Sequence, residues 1–385
     1  MRGSHELPWK SNGEPTSRPL PPQVLAFRST ETFWWAVTDL VCEREGVAVS
    51  KLRVGIVGAG GISHSHAPHW VALGADVSVF ALNGSQELAA RYGLTVASTL
   101  DQLLHTSDVI DICTPTVTHR DCALAAISAG KSVLCEKPLG RTMADAKTIA
   151  AAARAADVQV YPAHVVRFFP EYAAMHAAVQ QGVIGRPAVL RFSRGGAGAT
   201  SDWFFDEAES GGIILDQMIH DLDQARWIAG EVVAVYAVQN PPTVNGRIPR
   251  NVIAHVTLTH RSGAISHIQG IWGPPGMDFC TSFDVTGDAG TLRYDSSVAS
   301  TVVENLASGG PTASYLPPDS AEESPYLSEI REFATAFQGG PAPRVSLEDG
   351  VIAIALAEAA QESIATGSSI EFDTAAVLDP AEKVL

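Results

Sequence analysis

Leu52-Arg53-Val54-Gly55-Ile56-Val57-Gly58-Ala59-Gly60-Gly61-Ile62-Ser63 is the stretch that decides the fold. Leu52 to Val57 is a short apolar run that stops at glycines, the mark of a buried strand. Ile62 to Leu73 then sets apolar residues at helical spacing, and Gly74 closes that helix as a C-terminal cap. Strand, glycine turn and helix in this order match the dinucleotide-binding pattern Gly-x-Gly-x-x-Gly/Ala. Gly58 would make the tight turn and Gly60 would let the backbone approach a pyrophosphate. The amides of Gly61, Ile62 and the helix N-terminus would then bind its charge. Ser63 stands at the third position of the pattern, small enough for close helix–strand packing.

Downstream the same alternation continues. Asp76 to Leu82 is β-rich, Ser85 to Tyr92 helical, Val109 to Cys113 a strand, and Val117 to Ala129 a helix ending at Gly130. Ser132 to Cys135 is the next strand, and Thr142 with Asp145 forms a capping box that opens a helix to Ala156. Strands alternating with helices predict βαβ units and a doubly wound parallel sheet of Rossmann type over residues 51–165. Residues 166–385 differ. After helical stretches at Pro170 to Gly182 and Ile213 to Ala229, strand-like runs follow one another: Val232 to Gln239, Val252 to Thr259, Ala264 to Ile271, Cys280 to Thr286 and Thr291 to Tyr294. Such a succession predicts an α+β domain with a large, mostly antiparallel sheet. The loop Ala307 to Pro325 and helices at Tyr326 to Phe337 and Leu347 to Thr366 close the chain, the late helices packing back on the first domain. Residues 1–50, rich in proline and polar residues with a short helical stretch at Thr30 to Arg44, read as an extension outside the core.

Composition narrows the function. The 385 residues carry 26 Lys and Arg against 42 Asp and Glu, a net charge of −16 that repels nucleic acid and anionic membrane. No apolar run reaches membrane-spanning length. Five cysteines without a CxxC pair argue against a disulfide framework or structural zinc and for the reducing cytoplasm.

At the end of the second strand an Asp or Glu usually holds the cofactor's ribose hydroxyls. Here the strand ends Val79-Phe80-Ala81-Leu82-Asn83, with neither a carboxylate nor an arginine, so Asn83 and Ser85 are the candidate sugar contacts and the choice between NAD and NADP stays open. His64, His66 and His69 lie close together on the first helix. With no carboxylate or cysteine near them in sequence, packing or solvated roles are expected rather than a metal.

Two motifs carry chemistry. Glu136-Lys137-Pro138 follows a strand directly, and catalytic groups of open α/β sheets gather at such carboxyl ends. In Gly211-Gly212-Ile213-Ile214-Leu215-Asp216-Gln217-Met218-Ile219-His220, helical spacing puts Asp216 one turn from His220. A carboxylate so placed can orient the ring, and a histidine titrating near neutrality is a natural general base for an alcohol.

Taken together, Gly58-x-Gly60, Thr114-Pro115 with His119, Glu136-Lys137-Pro138, Asp202-Trp203 and Gly211-Gly212 leading to Asp216 and His220 resemble the Gfo/Idh/MocA family, the NAD(P)-dependent oxidoreductases that include glucose–fructose oxidoreductase and inositol dehydrogenase. The resemblance covers residues 51–370. It implies hydride transfer between NAD or NADP and a hydroxyl or carbonyl carbon of a sugar, cyclitol or related polyol. By the same resemblance Lys137 contacts the nicotinamide ribose and the substrate hydroxyl, His220 is the general acid/base, and Asp216 positions sugar and histidine. Thr114, Pro115, His119 and Glu136 would line the cofactor, Trp203 would lie near the nicotinamide, and Arg167 would belong to a substrate-pocket segment. The resemblance also implies that the open face of the second sheet is an oligomer interface, giving a homodimer or homotetramer. Two other readings of the residues are a glycosidase that uses held NAD to oxidise and re-reduce its substrate, and a non-catalytic nucleotide sensor.

Overall fold

The computed structural model describes residues 51–297 and 323–379. The expected extension with its helix at 30–44, and all but the last residues of the loop at 307–325, fall outside them.

The first sheet is built from β1 (Arg53–Val57), α1 (Ser63–Ala72), β2 (Asp76–Phe80), α2 (Ser85–Tyr92), β3 (Thr95–Val96), α3 (Leu100–Thr106), β4 (Val109–Ile112), α4 (His119–Ser128), β5 (Ser132–Glu136), α5 (Met143–Ala156) and β6 (Val160–Ala163). The strand order is β3-β2-β1-β4-β5-β6, with every pairing parallel. That is the doubly wound order of the Rossmann fold, whose ligand crevice opens where the order reverses, between β1 and β4. The Thr142–Asp145 capping box forms in both directions. Three elements were not expected: β3, α3 and β6. The first is only two residues long, and β6 contains Pro162, which a sheet tolerates at its edge.

The second sheet follows α6 (Pro170–Gln180) and has the order β12-β11-β7-β10-β9-β8-β13. Its strands are β7 (Pro187–Ala197), β8 (Val232–Asn240), β9 (Val252–His260), β10 (Ile265–Gly273), β11 (Cys280–Gly287), β12 (Thr291–Asp295) and β13 (Ile370–Glu371). All its pairings are antiparallel except β7 with β10. The long central strand β7 is the main element that sequence periodicity does not reveal. Arg191, Ser193, Arg194, Gly195 and Gly196 make a weak strand signal, and pairing on both sides overrides it. Residues 194–197 thus belong to a central strand.

Two helical stretches join the halves. After the one-turn α7 (Glu207–Ser210), a π-helical turn at Ile214–Met218 runs straight into α8 (Ile219–Ala229). Residues 211–219 are all buried, so this segment is an internal strut. Among the late helices, α9 (Pro325–Phe337) packs on α1, where Ile330 and Phe333 join Ile56, Ala67 and Trp70 in one cluster. The long α10 (Leu347–Thr366), buried along its middle from Gly350 to Ala360 except for half-buried Glu358, contacts α5 and β6 as well as β8 and α8. The short α11 (Thr374–Leu378) packs on α10.

Candidate active site

The glycine turn opens the cleft. Gly58 has φ +110°, and a Cβ there would come within 2.6 Å of the Cys113 carbonyl oxygen, so only glycine fits where β1 meets β4. Its N–H donates to the Phe80 carbonyl at 2.9 Å. Around Gly60 and Gly61 nothing lies within 4 Å of where a Cβ would be. That open space above the N-terminus of α1 fits a pyrophosphate, which the N–H groups and dipole of the helix end would hold. Ser63 answers the departure at the third position of the pattern: it is fully buried, and its hydroxyl donates to the Gly60 carbonyl at 2.5 Å, locking the turn. In the next turn Ser85 Oγ accepts from the Ala81 N–H at 2.8 Å and donates back to the Ala81 carbonyl. The Ser85 hydroxyl is thus engaged with the turn's own backbone, whereas Asn83 is exposed on that rim.

At the ends of β4 and β5, Thr114 is half-buried and Pro115 exposed, both at the cleft wall. His119 is buried, with Nδ1 2.7 Å from the Pro138 carbonyl and Nε2 2.8 Å from the Thr114 carbonyl. The ring lies between these two carbonyls and, when neutral, donates its single N–H to one of them, bracing the two strand-end turns from behind. Burial pushes its pKa down. The Lys137–Pro138 peptide is cis. Lys137 Nζ crosses to the second half of the molecule and donates to the Asp216 carbonyl at 2.7 Å, with the Asp216 carboxylate 3.5 Å away.

Asp216 sits inside the π turn, a feature frequent at functional sites. Gly211 and Gly212, at φ +74° and +73°, aim the chain into it. Gln361 Nε2 pins the Gly211 carbonyl from α10 at 2.6 Å. The wider turn changes the relation expected from helical spacing. His220 Nδ1 is buried without a hydrogen-bond partner, so Asp216 does not orient the ring through that nitrogen; Asp216 meets Lys137 instead. Burial, then the charges of Lys137 and Arg194 and the neighbouring His164, hold the His220 pKa well below its usual value. The ring is therefore a neutral base at neutral pH.

Arg167, expected in the substrate pocket, is instead a buried anchor, only 1% exposed. Its guanidinium grips the Asp223 carboxylate, donates to Asp349 at 3.1 Å and stacks over the Trp227 ring at 5.0 Å. A charge so fully engaged has no donor to spare for a sugar. Trp203 is half-buried and stacked on Phe204 with ring centres 3.8 Å apart.

Some site features have no sequence signal. Arg194 and Asp221 form a buried bidentate pair at 2.8 and 2.9 Å, and His164 is buried with neither ring nitrogen hydrogen-bonded. His66, expected to do no more than pack, is flanked by Asp111 and Glu136, brought from β4 and β5 by the parallel sheet.

A doubly wound nucleotide crevice facing a lysine, a carboxylate and a neutral histidine defines a nicotinamide-dependent oxidoreductase. Residues 52–164 match the oxidoreductase family with an NAD-binding Rossmann fold, and residues 172–293 match the GFO/IDH/MocA C-terminal domain. The chain is 30% identical over 340 residues to the myo-inositol 2-dehydrogenase of Thermotoga maritima, covering 84% of this chain and 99% of that protein. It is 31% identical to the 1,5-anhydro-D-fructose reductase of Ensifer adhaerens, with the same coverage. Among solved structures, GenD2 from gentamicin A biosynthesis, in complex with NAD, superposes with a TM-score of 0.75 at 26% identity over 86% of this chain and 99% of its own. A myo-inositol dehydrogenase from Corynebacterium glutamicum gives 0.69 at 27% identity over 84% and 99%. This chain belongs to the Gfo/Idh/MocA family of NAD(P)-dependent oxidoreductases.

Proposed function

We propose that the protein interconverts a secondary alcohol and a ketone on a sugar, cyclitol or related polyol, with Lys137 and His220 as its catalytic residues. The observation that carries this reading is the Lys137–Asp216 contact beside a His220 ring kept neutral by burial and by cationic neighbours. NAD or NADP, held by the Gly58–Ile62 turn, Asn83, Thr114 and Pro115, supplies the acceptor for the hydride leaving the alcohol carbon. Lys137 holds the substrate oxygen and stabilises the charge that develops there, while a ring nitrogen of His220 takes the hydroxyl proton. Asp216 holds the lysine and offers its carboxylate to a neighbouring hydroxyl. Trp203 stands at the nicotinamide end of the cleft. The names of the relatives, an inositol dehydrogenase and an anhydrofructose reductase, support the substrate class.

Fluorescence titration with NADH and NADPH, then a 340 nm screen across polyols and sugars, tests the reading. Turnover on one of them is expected, with Lys137→Ala and His220→Ala each losing at least ~10²-fold in kcat while still binding cofactor. Near-normal rates in either variant would sink the assignment. Hydrolysis of a glycoside without net NADH would move it to a redox glycosidase, and binding with no chemistry to a sensor.

The division into two domains near residue 165, the cytoplasmic setting and a homo-oligomer belong to the same proposal. Among the described residues no helix is long and apolar enough to cross a membrane. Tyr236, Val238, Ile253 and Ile265 leave large apolar side chains exposed on neighbouring strands of the second sheet, which supports self-association through that face. Light scattering on the eluting protein should give a dimer or tetramer mass; a monomer at micromolar concentration would refute it.

A further inference from the structure

Behind Lys137 lies a buried chain of hydrogen bonds that the proposed chemistry does not use. Trp70 Nε1 donates to Asp111 Oδ2 at 2.7 Å. His66 Nδ1 lies 3.1 and 3.0 Å from the two Asp111 oxygens, and His66 Nε2 lies 3.1 Å from Glu136 Oε1. The other Glu136 oxygen accepts the backbone N–H of Lys137 at 2.9 Å. Trp70, His66 and Asp111 are fully buried, and Glu136 is 6% exposed.

Neutral imidazole carries one N–H and could serve only one of these carboxylates, whereas imidazolium serves both. The surroundings favour the cation. The groups facing the ring are Asp111 from β4 and Cys113 just after it, Glu136 from β5, and Tyr326 and Glu329 from α9. Burial raises the Cys113 thiol to about 12 and lifts the Glu329 carboxyl well above the carboxylate range, leaving both uncharged. Burial alone would strip the proton from His66, but the Asp111 charge, together with the hydrogen bonds of Asp111 and Cys113, holds the ring well above its usual value. One buried cation thus serves two buried anions, the second of which is bonded to the backbone of the proposed catalytic lysine.

We propose that His66 is a positioning residue: bridging Asp111 and Glu136 with both ring N–H groups, it fixes the Glu136 carboxylate that receives the Lys137 N–H, and so sets where the lysine side chain meets the substrate. The proposal rests on the reading of Lys137 as a substrate contact. His66, Asp111 and Cys113 also bring nitrogen, oxygen and sulfur atoms within 4.8 Å of one another, the donor types of a transition-metal site. The direct His66–Asp111 hydrogen bonds span the same space, which makes a bound metal the rival outcome.

The test has two arms on the full chain. In the first, histidine-labelled protein at pH 7.5 is examined by nitrogen NMR, and amide exchange at Lys137 is followed in wild type, His66→Gln and the near-isosteric Asp111→Asn. Both His66 nitrogens are expected to carry protons, and the Lys137 amide to exchange at least tenfold faster in His66→Gln. A singly protonated ring, unchanged exchange at Lys137, or stoichiometric zinc by elemental analysis would overturn the proposal. None of these bears on whether Lys137 is catalytic. In the second arm, kcat is expressed per NADH-binding site counted by titration. Displacement of the lysine predicts a loss of ten- to a hundredfold in kcat for His66→Gln, with cofactor affinity changed less than about threefold, and a smaller loss of the same kind for Asp111→Asn. Fewer sites with full kcat at each would mark His66 as merely structural and overturn the positioning role. If Lys137→Ala retains full turnover, the catalytic reading fails on its own, whatever the first arm returns.

Discussion

His220 shows how far a residue's role depends on what surrounds it. Histidine was legible in the sequence as a base, but the reason it stays a base was not, because Lys137, Arg194 and His164 reach it from other elements. A ring whose pKa is depressed keeps its acceptor nitrogen until the pH falls below the ordinary histidine value of about 6.5. The acidic limb of kcat/KM for alcohol oxidation is therefore expected clearly below pH 6.5, and a limb at or above that value would contradict the site electrostatics. Arg167 illustrates the opposite outcome. Its segment drew notice as a pocket, yet the carboxylates of Asp223 and Asp349, distant in sequence, claim the guanidinium. Arg167→Met would strand the buried Asp223 carboxylate and leave half-buried Asp349 to Arg226 and the Ser346 N–H, and urea denaturation should register a loss of ~3–5 kcal/mol.

At the scale of elements, the β1 turn was readable because a few consecutive residues fix it locally. Gly58→Ala would add a Cβ at a left-handed φ against the Cys113 carbonyl. A cost of ~1–3 kcal/mol in stability and at least about tenfold in NADH affinity is expected from melting and fluorescence titration. The motif from Gly211 to His220 was readable as chemistry but not as geometry. Periodicity assumes an even helix, and the π turn breaks that assumption where Asp216 must face Lys137. Strand β7 was invisible for a related reason: its stability lies in its neighbours β10 and β11, whose paired residues are 76 to 100 positions away, and not in its own side chains.

Across the whole molecule, pH dependence follows from two oppositely shifted groups. Burial would raise the Asp349 carboxyl, but Arg167, the Ser346 N–H and Arg226 hold it far below the usual range. Its contribution to stability is present above the unfolded carboxylate value of about 4 and is lost as pH falls through the folded one. The His66 ring is raised, so its contribution is complete below about 6.5 and is lost as pH rises through its folded value. Melting temperature against pH should form a plateau that falls on both sides, and His66→Gln should flatten the alkaline fall. The overall architecture was legible, two sheets in the expected order, because alternating and consecutive strands differ in rhythm along the chain.

The late helices carry a consequence for how this chain is made. A ribosome delivers residues from the N-terminus, and domains commonly fold as they emerge. Here neither half can finish on that schedule. The six strands of the first sheet are complete once Ala163 has appeared, yet the apolar surface of Ile56, Ala67 and Trp70 waits for Ile330 and Phe333. Strand β7 has no partner until β10 and β11 are synthesised, and it must slot between them. The nascent protein therefore carries two unfinished surfaces, a helix face left open until α9 is made and a strand left unpaired until β10 and β11 are made.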